Sequence, residues 1–342
     1  MSTRSAPPPL VWGVVGPGAI ARVFAESLLA SGAGRVGRVC GRSMDSAASF
    51  CEEYGGVPAQ DPEELIADPE VQALYVATPH SAHFEAAETA LRAGKAVLCE
   101  KPLTTSPAET ERLLETARSV ETPLVEAWMY RTHPQIAFVL EQVRSGSLGR
   151  LRRIEARFGF AAPFDEGHRL FSPALGGGAI LDIGGYPVSF ALAVASAAGN
   201  SLAPELREAE GELAPNGVDV EARSILRFEN HLEAHLQVAI TNELGCGGRV
   251  VGAHGAIELE DPFLPGSERH GRSARLWIET DAGRREARLE SPHDCFALEA
   301  FEVSHLIAKR SLEARPPMVG HAETLSIARL LDSWRNDVGA HT

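Results

Sequence analysis

The apolar run Leu10 to Val15 passes directly into Gly16-Pro17-Gly18-Ala19-Ile20-Ala21, and Ala19 to Ala30 then has helical spacing. A strand that turns on G-x-G-x-x-A into a helix leaves few folds open. The first glycine permits the tight turn, and the second lets backbone approach a pyrophosphate. Ala21 lets the helix pack close to the sheet, and the helix N-terminus faces the phosphates. Because strand and helix flank the motif as it requires, Gly16, Gly18, Ala19 and Ile20 are read as dinucleotide-binding positions.

The next hundred residues keep the same rhythm. Arg35 to Cys40, Ala73 to Ala77, Ala96 to Cys99 and Pro123 to Ala127 read as strands. Ser46 to Tyr54, His83 to Arg92 and Ser106 to Ser119 read as helices, the last with Ser106 as N-cap and Pro107 at its first position. Strands alternating with helices predict an α/β Rossmann domain, a doubly wound parallel sheet, over residues 1–130. The remaining residues, 131–342, change texture. Leu151 to Phe160, Val220 to Phe228, His231 to Ala239, Arg249 to Leu259 and Arg275 to Glu279 alternate apolar and polar positions. Period two predicts a C-terminal α+β domain with a largely antiparallel open sheet. Cys295 to Arg310 and His321 to Val338 return to helical spacing, and the last helix is expected to pack back on the first domain. A chain of 342 residues suits two domains.

Composition excludes several functions. A formal net charge of −14 opposes nucleic-acid binding, which needs clustered Lys and Arg. Cys40, Cys51, Cys99, Cys246 and Cys295 are scattered and form no C-x-x-C pair, so a reducing compartment without a zinc site is expected. Arg4 and Pro7 to Pro9 precede an apolar run too short for a signal-peptide core. No stretch is read as the roughly 18 to 20 apolar residues that cross a membrane. A cytoplasmic protein is the expectation.

Cys40-Gly41-Arg42-Ser43 bears on which dinucleotide binds. An NAD-selective site carries Asp or Glu at the end of the second strand for the ribose 2′-hydroxyl. Here no acid appears before Asp45. Arg42 suits a 2′-phosphate and Ser43 can add a hydrogen bond, which favours NADP. The alternative is an arginine stacked on adenine, with NAD bound as well.

Glu100-Lys101-Pro102 follows the strand Ala96 to Cys99, at the strand end where open α/β sheets place ligands. Lys101 there can hold a substrate hydroxyl or help a neighbour lose a proton. Together with Gly16 to Ala21, three further segments complete a pattern: Thr78-Pro79-His80-Ser81-Ala82-His83, Glu126 to Pro134, and Gly176 to Pro187. The chain resembles the glucose–fructose oxidoreductase/inositol dehydrogenase family (Gfo/Idh/MocA) over roughly residues 10 to 190.

That resemblance implies a hydride-transferring enzyme acting on a pyranose sugar or a cyclic diol. Lys101 would bind the reacting hydroxyl, and the Lys-Pro bond is often cis in the family. Thr78, Pro79, His80, His83, Glu100 and Lys101 would line the cofactor, with His80 standing where the family has Asn. Tyr186 marks the branch resembling D-xylose dehydrogenase and dihydrodiol dehydrogenase. Arg169-Leu170-Phe171, ahead of the glycine triplet, points the same way. The family also implies a homodimer or higher homo-oligomer formed through the open sheet.

The residues read by themselves agree. Asp182 and Tyr186 are four apart and share a face of the helix expected after the glycines. A neighbouring ammonium favours the phenolate, so Lys101 is expected to lower the Tyr186 pKa and make Tyr186 the acid/base, with Asp182 orienting substrate or Lys101. His80, His83 and His133 lack ligand spacing, so no metal is expected. His168 is expected in a solvated loop. The competing readings are an NAD-linked inositol-type dehydrogenase, which Arg42 and Tyr186 disfavour, and a non-catalytic dinucleotide-binding regulator of the same fold.

Overall fold

The computed structural model describes residues 9–267 and 270–340. Arg4, Pro7 and Pro8 lie outside the described residues. The first strand, β1 (Leu10–Val15), is buried at every position but Val11 and enters α1 (Ala19–Ser31) through the glycine turn. Helix α1 stops at Gly32, whose φ of 70° lets its N–H turn back to the Leu29 carbonyl. The domain continues with β2 (Gly34–Cys40), α2 (Met44–Tyr54), β3 (Val57–Ala59), α3 (Pro62–Ala67), β4 (Ala73–Val76), α4 (His83–Arg92), β5 (Ala96–Glu100), α5 (Pro107–Ser119) and β6 (Leu124–Ala127). The Ser106 hydroxyl caps α5 by accepting from Glu109 N, and Pro107 occupies its first turn. All strand pairs are parallel, in the order β3-β2-β1-β4-β5-β6. This is the doubly wound order, with its crevice at the carboxyl ends of β1 and β4 where the strand order reverses.

The second sheet has eight strands: β7 (Leu151–Ala161), β8 (Glu205–Leu213), β9 (Asp219–Arg227), β10 (Glu233–Ala239), β11 (Thr241–Gly252), β12 (Gly255–Leu259), β13 (Ser273–Thr280) and β14 (Gly283–Glu290). Their order is β14-β13-β12-β11-β7-β10-β9-β8, antiparallel except where β10 meets β7. Helices α6 (Pro134–Arg144) and α7 (Gly185–Ala197) lie together, and α7 covers the inner side of β7 and β10. Two strands of this sheet carry no signature in the sequence, β8 (ELREAEGEL) and β14 (GRREARLE). Both form the sheet's outer edges, where charge discourages pairing with another chain and erases the apolar alternation that marks a half-buried strand.

One sequence expectation is corrected. Residues 173–197 are long and apolar enough to cross a membrane by length and composition, yet residues 176–195 of that stretch are buried inside the protein. Every residue of α7 from Gly185 to Ala195 is buried, because the helix is packed between the second sheet, α6 and the last helix of the chain.

The chain ends with α8 (Cys295–Lys309) and α9 (His321–Asp337). Helix α8 packs on α1, and α9 packs on both α5 and α7. Leu124 N donates to the Leu312 carbonyl at 3.1 Å, and His321 Nε2 lies 3.1 Å from the Leu124 carbonyl. The outer edge of β6 is thus closed by the chain itself, which joins the two sheets into one framework.

Candidate active site

The glycine turn is shaped for close approach. Gly16 has a φ of 90°, and a Cβ there would sit 2.7 Å from the Ala77 carbonyl carbon. Gly18 is exposed with open space where its Cβ would stand, and it heads α1 with no side-chain cap. The first amides of α1 are therefore left without a capping side chain, beside exposed Ala19 and half-buried Ile20. These features fit a dinucleotide pyrophosphate. At the end of β2 the Arg42 side chain is exposed and enters no ion pair among the described residues. Ser43 is already engaged as N-cap of α2, accepting from Ser46 N at 3.3 Å.

The Lys101 loop leaves β5 through a cis Lys101–Pro102 bond. Lys101 Nζ donates to the main-chain oxygen of Asp182 at 2.6 Å and lies 4.0 Å from Asp182 Oδ1. It also stands over the Tyr186 ring, 5.2 Å from its centroid. Asp182 lies in the single π turn (Ile180–Gly184) that leads into α7. Such turns re-aim the side chains of a helix, and this one brings Asp182 and Tyr186 to the same lysine. Asp219, at the start of β9, caps the turn by accepting from Ile180 N at 2.7 Å.

Asp182 gathers three cationic or polar neighbours. Arg169 Nη1 donates to its Oδ1 at 2.8 Å, and His80 Nε2 lies 3.9 Å away. Burial alone would raise the Asp182 pKa, but the Lys101 and Arg169 charges outweigh it and bring it down to about 2. His80 is lowered to about 3, chiefly by burial, so it is neutral, with Nδ1 2.8 Å from the Gly176 carbonyl. It ties the cofactor strand ends to the glycine triplet. His83 is also buried, with Nδ1 facing the Pro102 carbonyl at 2.9 Å and Nε2 facing Thr78 O at 3.0 Å. It braces the Thr78-Pro79 turn against the Lys101 loop. Glu100 accepts from Tyr75 OH and from Lys101 N, so it anchors the strand end from below.

The expected effect of Lys101 on Tyr186 is corrected. The Tyr186 pKa is raised well above 10, first by burial and then by the Glu100 and Asp182 charges. The ammonium meets the ring rather than the hydroxyl, and its own hydrogen bond goes to Asp182. Tyr186 therefore keeps its proton in this arrangement. Its ring is fixed by Trp128, Phe158, Phe263 and Tyr130, with centroids 5.2, 5.2, 5.4 and 5.8 Å away.

This arrangement matches known proteins along most of its length. The family model described as an oxidoreductase family with an NAD-binding Rossmann fold matches residues 10–127, and the GFO/IDH/MocA C-terminal domain matches residues 136–258. The chain belongs to the Gfo/Idh/MocA oxidoreductases. It is 30% identical over 347 residues to trans-1,2-dihydrobenzene-1,2-diol dehydrogenase of Mus musculus, covering 96% of this chain and 97% of the other. It is 36% identical over 207 residues to D-xylose 1-dehydrogenase (NADP+) of Hypocrea jecorina, covering 53% of this chain and 52% of the other. A crystal structure of a 3-ketoreductase from Actinomadura kijaniata in complex with NADP and TDP-benzene superposes with a TM-score of 0.85. The two share 28% identity over 97% of this chain and 98% of that one.

Around the candidate site stand residues that the sequence does not single out. In the sequence Arg169 is only a marker of the tyrosine-bearing branch, yet in the fold it pairs with Asp182. Glu299 of α8 is wholly buried, and neither of its oxygens has a hydrogen bond among the described residues. Burial, followed by the Glu100 charge, raises its pKa well above 4.5. Nothing in its local sequence distinguishes it from a helix-surface glutamate. His133 caps α6, accepting from Gln135 N at 3.2 Å, and His168 is exposed. Among the described residues no cluster of three His, Cys, Asp or Glu is placed to hold a metal.

Proposed function

We propose that this NAD(P)-dependent oxidoreductase reduces a carbonyl, or oxidises the matching hydroxyl, on a pyranose sugar or cyclic diol, with NADP(H) as cofactor. The observation that carries the reading is the convergence of Lys101, Asp182 and Tyr186 at the carboxyl end of β5, beside the glycine turn. Relatives named for a diol, for D-xylose with NADP+ and for a 3-keto group support the substrate class. The exposed Arg42, with no ion pair among the described residues, supports the 2′-phosphate.

Bound nicotinamide supplies the hydride to the carbonyl carbon in the reductive direction. Lys101 holds the carbonyl oxygen and favours the charge that develops there. Tyr186, kept protonated by its surroundings, gives its proton to that oxygen, and the product is the alcohol. Asp182 fixes the lysine, and its own ionisation is secured by Lys101 and Arg169. In the reverse direction the hydroxyl proton returns to Tyr186 as hydride leaves the carbon. Steady-state assays of NADPH consumption and production over a panel of aldoses, keto sugars and cyclic diols test the reading. NADPH binding with no turnover on any member would instead favour a regulator.

The same proposal extends to assembly. The outer face of the second sheet carries a groove along β7 to β10, lined by Glu155, Arg157, Glu210, Arg223, His235 and Gln237. Its mixed signs suit pairing with a second copy, so light scattering is expected to give a dimer. A monomer at micromolar concentration would remove this part.

A further inference from the structure

Glu126, on β6, is buried, yet no cation among the described residues pairs with it. Its Oε1 accepts from Leu103 N at 2.9 Å, two residues beyond Lys101. Its other oxygen is buried without a hydrogen bond among the described residues, and so is the indole nitrogen of neighbouring Trp128. The Trp128 side chain stands beside this carboxyl without a fully formed bond. The same indole packs edge-on against the Tyr186 ring at 5.2 Å. It also presses on α7 so closely that a Cβ on Gly185 would run into it.

One side chain therefore reaches both halves of the proposed acid/base pair, although it touches neither. We propose that Glu126 is a positioning residue that sets the Lys101 loop and the Trp128 wall of Tyr186 in register. The inference rests on the roles proposed for Lys101 and Tyr186. As a carboxylate, Glu126 can accept from Leu103 N and the Trp128 indole together. As a neutral acid it carries an O–H that needs an acceptor such as the Thr324 hydroxyl, and it keeps less capacity to accept from Leu103 N and the indole together. The groups facing it add no compensating charge. Cys99 faces it from β5, and Glu323 with Thr324 from α9. The Arg131 guanidinium is held by Glu323, and His321 is turned to the Leu124 carbonyl. Burial, foremost, then raises the Glu126 pKa to about 7, within the range where enzymes work.

The test compares wild type, Glu126→Ala, Glu126→Gln, Lys101→Met and Tyr186→Phe in the reductive direction, with NADPH affinity measured by fluorescence. Wild-type kcat is expected to rise through a one-proton limb near the Glu126 pKa of about 7. Glu126→Ala should lower kcat about 10- to 100-fold through misplacement of the lysine, with NADPH affinity held. Glu126→Gln keeps the acceptor for Leu103 N, so it should recover part of that loss while the limb disappears. A wild-type kcat in Glu126→Ala would overturn the proposal. So would a Glu126→Gln profile that follows wild type across pH, and this comparison decides alone if Glu126→Ala does not fold. Wild-type turnover in Lys101→Met and Tyr186→Phe would overturn the site reading itself. Loss of turnover in those two with no pH effect of Glu126→Gln would overturn only the positioning role.

Discussion

Lys101 Nζ stands over the face of the Tyr186 ring, 5.2 Å from its centroid. The ammonium thus lies against the ring's negative face, an attraction that fixes both side chains without taking the phenolic proton. The geometry favours a tyrosine that donates a proton over one that waits as phenolate.

Replacement of Tyr186 by Phe keeps the ring in its cage of Trp128, Phe158 and Phe263 and removes only the hydroxyl. Reductive kcat should fall by about 10²- to 10⁴-fold, the usual contribution of a positioned general acid. NADPH affinity and thermal midpoint should stay near wild type. A Tyr186→Phe enzyme with undiminished kcat would move the proton donor elsewhere.

Arg42 has no ion-pair partner to lose among the described residues, so Arg42→Ala is a clean probe of cofactor choice. A hydrogen bond to a charged group contributes about 1.5–3 kcal/mol, so the KM for NADP+ should rise about tenfold or more. The KM for NAD+ should not change. Equal effects on both would assign Arg42 to the adenine.

At Gly16 the backbone φ of 90° and the nearby Ala77 carbonyl both exclude a side chain. Gly16→Ala should lower the thermal midpoint and abolish NADPH fluorescence enhancement, because the turn must move. Retained NADPH binding in a folded Gly16→Ala protein would show that this turn is not where the cofactor sits.

Glu299 bears on stability rather than chemistry. Its folded pKa lies well above the unfolded value of 4.5, so the folded state holds a proton that the unfolded chain releases. Its effect is absent below about pH 4.5 and costs stability as pH rises beyond it, on the order of 1 kcal/mol per pH unit until the folded group ionises. Glu299→Gln should therefore gain in melting temperature over wild type as pH increases from acid to neutral. A constant gap across that range would contradict the buried neutral acid.

Most of the first domain is legible in the sequence because β1, β4, β5 and β6 are buried on both faces and its helices carry local signals. Ser106 with Pro107 marks the start of α5, and Gly16 to Ala21 marks the first turn. The short elements β3 and α3 escape a sequence reading because three and six residues give too little periodicity. In the site, spacing and strand position point to Lys101, Asp182 and Tyr186, and the structure brings them together. Their electrostatics are not legible. Lys101 lies far from Tyr186 along the chain, and whether an ammonium meets a ring or a hydroxyl depends on tertiary geometry. Asp219 and Glu126 sit on strands where a lone carboxylate reads like an ordinary polar position. Arg169 reaches Asp182 only because the loop before the glycine triplet folds back over it.

Lys101 is proposed to hold the reacting oxygen while NADPH binds independently of it. The most direct measurement pairs an NADPH fluorescence titration with turnover of the best substrate by wild type and Lys101→Met. NADPH affinity should be similar in both proteins, with turnover in Lys101→Met reduced at least about a hundredfold. Turnover in Lys101→Met at the wild-type rate would contradict this role of Lys101.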